Sequence, residues 1–506
     1  MRSTDDIRAY TKLYLEYGYN AWLAERLPLH RMLPDVRDRR CLNMQYNQQS
    51  MAVSLIVIFR NEQVEMLLRM LHSLRHTTDM NAIGELLLIN DSSDKGIWRN
   101  ALSRRTFDSY VAKYITDKLQ VFHMEEQMGL VRARRFAARE SLYENLIFAD
   151  ANVEFTQGWL EPLLGVLSEQ RLAVVCPQLD QIDEQTLQYV QLVERRGVFD
   201  WSLRRREVPL LWQQLKDLPQ PFETPVPRTA VFGINADLFN LMSYFNMELN
   251  SPAAFELELS FHMWRRNLRI LQVPCSRIGH LQPKDRSYLQ RYGNLQQMAA
   301  QQFSSYKRLV EIWMNDSKYK SLIYAYQPQI KNASMGDITD EQQELIDGEL
   351  QSFDWYLQHV APDLLQHFPS QARPDFANGT VRPAQQPNRC LTADLKTKSI
   401  FLKTCDPAAE NLTQHWTLSY MNDLRLDDVH CAEVQSNWKL ALSPCTALEG
   451  AQKWHFDMSS NSLVSNTLCL EVGPVSNLLV RTCDAMNPHQ MWYVENLHLD
   501  AFKVNH

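Results

Sequence analysis

The 506-residue sequence has no apolar run long enough to cross a bilayer: its longest, Ala52 to Phe59, falls far short of the roughly 20 residues a spanning helix needs. Its first residues, MRSTDDIRAY, lack the basic and apolar regions of a secretory signal, so neither an anchor nor a signal is expected from this sequence. Basic excess is missing too. With a net charge of −7 and a pI near 6.1, there is no cationic surplus to neutralise phosphates, which argues against nucleic acid as a partner. The clusters Arg132/Arg134/Arg135 and Arg204-Arg205-Arg206 read as solvated helix or loop faces. A CxxC pair is absent, as is any histidine spacing to match one, which argues against zinc ligation as the use of the cysteines.

What the chain does have is length for two or three domains and, at 45% hydrophobic residues, material for packed cores. From about residue 52, short β-branched runs alternate with helical stretches, the pattern of a sheet with βα crossovers. Strands are expected at Val53–Phe59, Glu85–Ile89, Leu119–His123, Leu146–Phe148 and Leu172–Cys176, with amphipathic helices over Gln63–Arg75 and Arg132–Leu142. Asp91 and Asp150 follow strand ends directly, where open α/β sheets bind ligands. Residues 1–50 read as a stem-like segment and residues 51–358 as the α/β domain. Residues 359–385, rich in proline and glutamine, read as a linker to a domain over residues 386–503.

That last region repeats itself. Gln414-His415-Trp416, Gln452-Lys453-Trp454 and Gln490-Met491-Trp492 recur with a fixed period of 38 residues. Each repeat carries its own cysteine pair, Cys390/Cys405, Cys431/Cys445 and Cys469/Cys483, which reads as three disulfides and an oxidising compartment. Sequons at Asn315, Asn332, Asn378 and Asn411 agree with a lumenal setting. The three QxW units in register with their cysteines resemble the ricin-type β-trefoil lectin.

Joined to that lectin, the first domain resembles the polypeptide N-acetylgalactosaminyltransferases. The stretches that carry the likeness are Ser54–Glu62 (SLIVIFRNE), Gly129–Arg134 (GLVRAR), Trp159–Leu164 (WLEPLL), Phe199-Asp200-Trp201, Glu258–Trp264, Cys275–His280 (CSRIGH), Glu311–Met314 (EIWM) and Trp355-Tyr356-Leu357. The resemblance implies a GT-A-like nucleotide-sugar transferase domain followed by an all-β trefoil. It also implies a Golgi-lumenal setting, UDP-GalNAc and Ser/Thr-rich peptides or glycopeptides as partners, and Mn²⁺ as cofactor. It places the metal ligands at Asp150, Asn152 and His280 and donor contacts at Asp91, Gln127, Ala151 and Tyr288. It further implies a Cys41–Cys275 disulfide, and a second family disulfide whose positions are here Arg266 and Leu350.

Several of those positions depart from the family pattern. Asn152 replaces a metal-binding histidine, Phe255 stands at the family's acidic position, Thr229-Ala230 replaces a Gly-Gly, and Gln127 and Pro283 replace arginines. In the lectin repeats Thr392, Glu433 and Glu471 stand where relatives place a sugar-binding aspartate, so only Glu433 and Glu471 are expected to reach sugar. The expectation is a member of mucin-type O-glycosylation whose transfer activity is lost or strongly reduced. The alternative is a non-catalytic protein that binds glycopeptides or regulates the same pathway.

Overall fold

The computed structural model describes residues 4–46, 52–242, 248–249, 251–282, 295–314, 317–348, 350–370, 374–406, 413–420, 422–427, 430–435, 438–445, 451–465, 467–473 and 477–504. The chain forms two compact units, residues 1–368 and 369–506.

The first unit is built on a ten-stranded mixed sheet, parallel through Asn145–Asp150, Val53–Phe59, Ile83–Asn90 and Leu119–His123 and largely antiparallel beyond them. Its main path runs Phe222–Glu223, Arg269–Leu281, Ala173–Ile182, Val231–Asn235, Asn145–Asp150, Val53–Phe59, Ile83–Asn90, Leu119–His123. Val53–Phe59 pairs in parallel with both Ile83–Asn90 and Asn145–Asp150, so the strand order reverses beside it. A crevice at such a reversal, outside the carboxyl ends of the strands, is where doubly wound sheets take ligands. The central strands are buried on both faces, which is why they read as near-continuous apolar runs. Helix Val64–Thr77 covers one face with Met66, Leu67, Met70, Leu71 and Leu74, the three-and-four spacing the sequence displays.

Three features differ from the sequence reading. The strand beginning near Leu172 continues to Ile182, because its polar Gln178 and Asp180 are buried and partnered rather than solvated. Of the segment 1–50, the described residues 4–46 do not form a separate stem. They carry helix Thr4–Tyr17 and dock on the first unit, with Tyr19, Ala21 and Ala24 buried against Met66, Ile182, Leu187 and Leu281. Arg31 forks onto the buried Glu154 at 2.6 and 2.8 Å, and Cys41 is bridged to Cys275. The stretch 359–385, read as the linker, is shared between the two units at its ends. Asp363 holds the buried Arg196 and Phe368 accepts the Trp201 indole N–H, so the first unit runs to Phe368, while Ala377–Pro383 is already a strand of the second unit.

Helix Pro252–Arg265 is buried along most of its length. Burial, with Arg266 beside it, holds the His262 imidazole well below its usual 6.5, so the native state excludes a proton that the unfolded chain takes up. Stability should therefore be intact above pH 6.5 and fall below it by about 1.4 kcal/mol per pH unit until the native residue protonates. Urea unfolding from pH 7.5 to 5 should show this slope, reduced in a His262→Gln variant.

The second unit is all-β, with one eight-stranded and one four-stranded sheet around Trp416, Trp454 and Trp492, each fully buried. The three indoles repeat one contact, donating to the carbonyls of Leu391, Ala432 and Leu470 at 2.8, 2.9 and 2.8 Å. This is a β-trefoil in which no repeat owns a core, because all three tryptophans share one apolar cluster. Cys390–Cys405, Cys431–Cys445 and Cys469–Cys483 staple the repeats. Cys176 is free and buried, its thiol pushed up by desolvation. Of the sequons, Asn332 is exposed and Asn378 lies in a strand with its Oδ1 accepting from Asn496; Asn315 and Asn411 lie outside the described residues.

Candidate functional site

Asp150 ends its strand, and Val153–Phe155 then turns back to pair antiparallel with Arg269–Leu281, Val153 opposite His280. This return brings residues 150–152 beside 280–281. The Asn152 Nδ2 donates to the Leu281 carbonyl at 2.7 Å, and the Leu281 N–H donates to the Asn152 carbonyl at 3.0 Å. Asp150, Asn152 and His280 are each half-buried on otherwise buried strands, as groups lining a cleft would be. The His280 Nδ1 is buried with no hydrogen-bond partner, an orphan that asks for a ligand. Burial, reinforced by the Arg228 charge, lowers its pKa to about 3 and keeps the imidazole neutral. Burial raises the Asp150 carboxyl to about 7; Arg134 opposes that rise and Glu256 and Glu62 add to it. With the Asn152 amide hydrogen committed to Leu281, its Oδ1 is the end left to ligate. A carboxylate, an amide oxygen and an unpartnered imidazole fit a divalent cation, with one imidazole fewer than the family pattern.

The positions that the resemblance assigns to the donor sugar are packed rather than open. Phe255 is buried, its ring centroid 6.3 Å from that of Phe232, and the Arg134 guanidinium lies 4.6 Å from the Phe255 ring and 5.1 Å from the Phe232 ring. Arg134 also donates to the Thr229 carbonyl at 2.9 Å, and burial brings its pKa down to about 10. The Thr229 N–H donates to Glu256 at 3.0 Å, whose carboxyl is raised by burial against the pull of Arg205, Arg228 and Arg134. Thr229 and Ala230 are themselves buried. Next to them, burial alone would raise the Glu207 carboxyl, but Arg228 and Arg205 outweigh it and hold the group at about 2.

Arg134 is a correction to the sequence reading, which placed it on a solvated face: with Val131 and Ala138 it occupies the buried side of helix Leu130–Glu140. Their spacing of three and four residues was the available signal. Arg205 and Arg206 are likewise inward, on Glu207 and Asp200. Nothing in the sequence singled out Arg228, Glu207 or Glu256, whose importance comes from strands distant in the chain.

Asp91 sits at the crevice, but its carboxylate accepts the Met128 and Gly129 backbone N–H groups at 2.6 and 3.0 Å. Gly129 has φ +82, open to glycine at little cost, and this aims the turn into the helix. Gln127 is exposed in the preceding loop and Ala151 is buried beside Asp150. Tyr288 and Pro283 lie outside the described residues. Arg266 and Leu350 are both half-buried.

In the second unit, Glu433 accepts the amides of Gln435 and Gln452 at 3.0 and 2.7 Å. Glu471 accepts those of Asn487 and Gln490 at 3.0 and 2.8 Å. Thr392 takes the equivalent bond from Gln414 at 3.0 Å. Each QxW glutamine is thus clamped by the residue at the position where relatives carry an aspartate, and the two glutamates are internal acceptors before they are anything else.

The family model described as glycosyl transferase family 2 matches residues 54–240, and that of the ricin-type beta-trefoil lectin domain matches residues 377–492. The chain is 46% identical over 448 residues, 88% of its length and 79% of the relative's, to a Drosophila melanogaster protein named "Putative inactive polypeptide N-acetylgalactosaminyltransferase 12". It is 31% identical to N-acetylgalactosaminyltransferase 6 of the same fly, over 95% of this chain and 72% of that one. A crystal structure of GalNAc-T7 with UDP, GalNAc and Mn²⁺ superimposes with a TM-score of 0.67 at 23% identity, covering 98% of this chain and 91% of that one. With two-unit architecture and sequence likeness extending together over most of its length, the chain belongs to the polypeptide N-acetylgalactosaminyltransferase family.

Proposed function

We propose that this chain is a polypeptide N-acetylgalactosaminyltransferase-like protein of mucin-type O-glycosylation whose transfer of GalNAc from UDP-GalNAc to Ser/Thr hydroxyls is lost or strongly reduced. The observation that carries the reading is the plug of Phe255, Phe232 and Arg134 beside Thr229: an apolar ring and a spent guanidinium stand where the reaction needs an acidic group and open backbone. The name of the fly relative agrees with it.

A divalent cation, Mn²⁺ by family, would be held by Asp150, Asn152 and His280, and when bound would offset the charge that develops on a departing diphosphate. The chain's own residues contribute less than that reaction demands. Asp91 is bonded to backbone and Arg228 to Glu207, so each serves the fold first. Four disulfides fit an oxidising lumen, and we assign the protein to the Golgi. In the lectin unit, no observation favours glycopeptide binding as the primary role, since Glu433 and Glu471 are occupied within their own repeats.

Calorimetry with UDP-GalNAc, with and without Mn²⁺, tests the donor half of the reading. The expected result is weak, metal-dependent binding that Asn152→His strengthens roughly tenfold, since it restores the family's set of one carboxylate and two imidazoles. Tight binding that ignores both Mn²⁺ and the substitution would sink the assigned ligand set.

A further inference from the structure

A second group of metal-binding side chains lies outside the cleft. One ring nitrogen from each of His30, His72 and His76 lies within 4.8 Å of the others'. The ring centroids are 5.5 to 6.2 Å apart. Among the described residues this is the only such group of three histidine, cysteine or acidic side chains.

Two independent parts of the fold create it. His72 and His76 are four residues apart on helix Val64–Thr77 and so share one face. That helix is fixed by its buried apolar side and by Ser73, whose Oγ accepts the Phe155 N–H at 2.9 Å. His30 comes from the N-terminal segment, and its neighbour Arg31 is locked on Glu154 and the Leu187 carbonyl. The backbone on both sides of the group is therefore held before any ion arrives. The Tyr110 hydroxyl lies 2.8 Å from His72 Nε2, an outer partner of the kind that orients ligating imidazoles.

The group is also separate from the cleft. Helix Val64–Thr77 connects two adjacent parallel strands, so it runs back from the carboxyl end of one to the amino end of the next. His72 and His76, in its last turns, lie toward the edge of the sheet opposite Asp91 and Asp150.

We propose that His30, His72 and His76 form a binding site for a zinc-class divalent ion, which pins the N-terminal segment to the transferase-like unit. Three imidazoles suit Zn²⁺, Cu²⁺ or Ni²⁺ better than the oxygen-seeking Mn²⁺, and they leave a fourth position for water. His30 and His76 are exposed, so an ion has access and either side chain can be replaced without opening the core.

The test is calorimetric titration of the EDTA-treated, dialysed full chain with Zn²⁺ alone, in parallel with thermal melts. The Asp150→Asn/His280→Gln variant runs beside it to remove the cleft as a competing site. One Zn²⁺ should bind with that double variant intact in affinity, and the melting temperature should rise as zinc is added. His30→Gln and His76→Gln should each weaken binding at least about tenfold, since even outer-sphere losses at metal sites cost about 10- to 100-fold. Both should also abolish the zinc-dependent rise. Binding unchanged by His30→Gln and His76→Gln, or lost in the Asp150→Asn/His280→Gln variant, would overturn the assignment; so would no binding at all.

Discussion

Supplied with UDP-GalNAc, Mn²⁺ and a mucin-type peptide, the full chain is expected to transfer GalNAc at least about a thousandfold more slowly than an active relative assayed beside it. Removing a single group that stabilises developing charge costs about 10²–10³ in rate, and here several are gone together. Phe255 offers no charge, and the guanidinium closest to it is spent on aromatic faces and the Thr229 carbonyl. The loss is not repairable at one position. Phe255→Glu would place a carboxylate in the Arg134 cage beside Glu256, while leaving Thr229 and Ala230 in place, so that variant should also stay inactive. A pre-glycosylated peptide should fare no better. Turnover within about tenfold of the active relative would show that the plug does not govern the chemistry, and the proposed loss of activity would fall.

The second large effect concerns stability. Arg277→Met should destabilise the first unit by about 3–5 kcal/mol, because it strips the partner from a carboxylate that has no access to water. Arg277 donates to Asp180 at 2.6 and 2.7 Å, to Glu194 at 2.8 Å and to the Leu192 carbonyl at 2.6 Å. The Asp180 and Arg277 side chains are 0% and 2% exposed. Asp180 further accepts from the Tyr189 hydroxyl and the Leu192 N–H, so the pair ties two adjacent strands of the sheet to the loop beyond them. Urea unfolding of the full chain, followed by probes for each unit separately, should move the first transition and leave the second unchanged. Replacing both partners, as Arg277→Met/Asp180→Leu, should recover part of the loss; if the double variant were as unstable as the sum of the single ones, the buried charge would not be the cause.

The two expectations mark how far the sequence could be read. Strands such as Val53–Phe59 and Leu119–His123 were legible at their ends, since β-branched runs bounded by turn residues have few other uses. The stretch Cys275–His280 was legible as a family signature, yet its members do different work: Cys275 in a bridge, Arg277 in an ion pair, His280 in the cleft. Motif recognition does not separate those roles. Arg134 was misread because charge was weighed as solubility, whereas its burial is set by three phenylalanines from distant segments. Ala377–Pro383 was hidden by composition: it alternates buried and half-buried positions as a strand should, but proline and glutamine around it spoke for a linker. The docking of residues 4–46 rests on contacts with Glu154 and Ile182, which no local pattern announces.

The bridge between Cys41 and Cys275 spans 234 residues, and Arg269–Leu281 is the last strand of the sheet in chain order. On a chain made from its amino end, Cys41 therefore waits through the synthesis of every other strand of the sheet. The only thiol to appear in that interval is Cys176, which the finished sheet buries out of reach. The covalent lock can close only when the final strand has arrived beside Ala173–Ile182, so in this protein oxidation records that the sheet is complete.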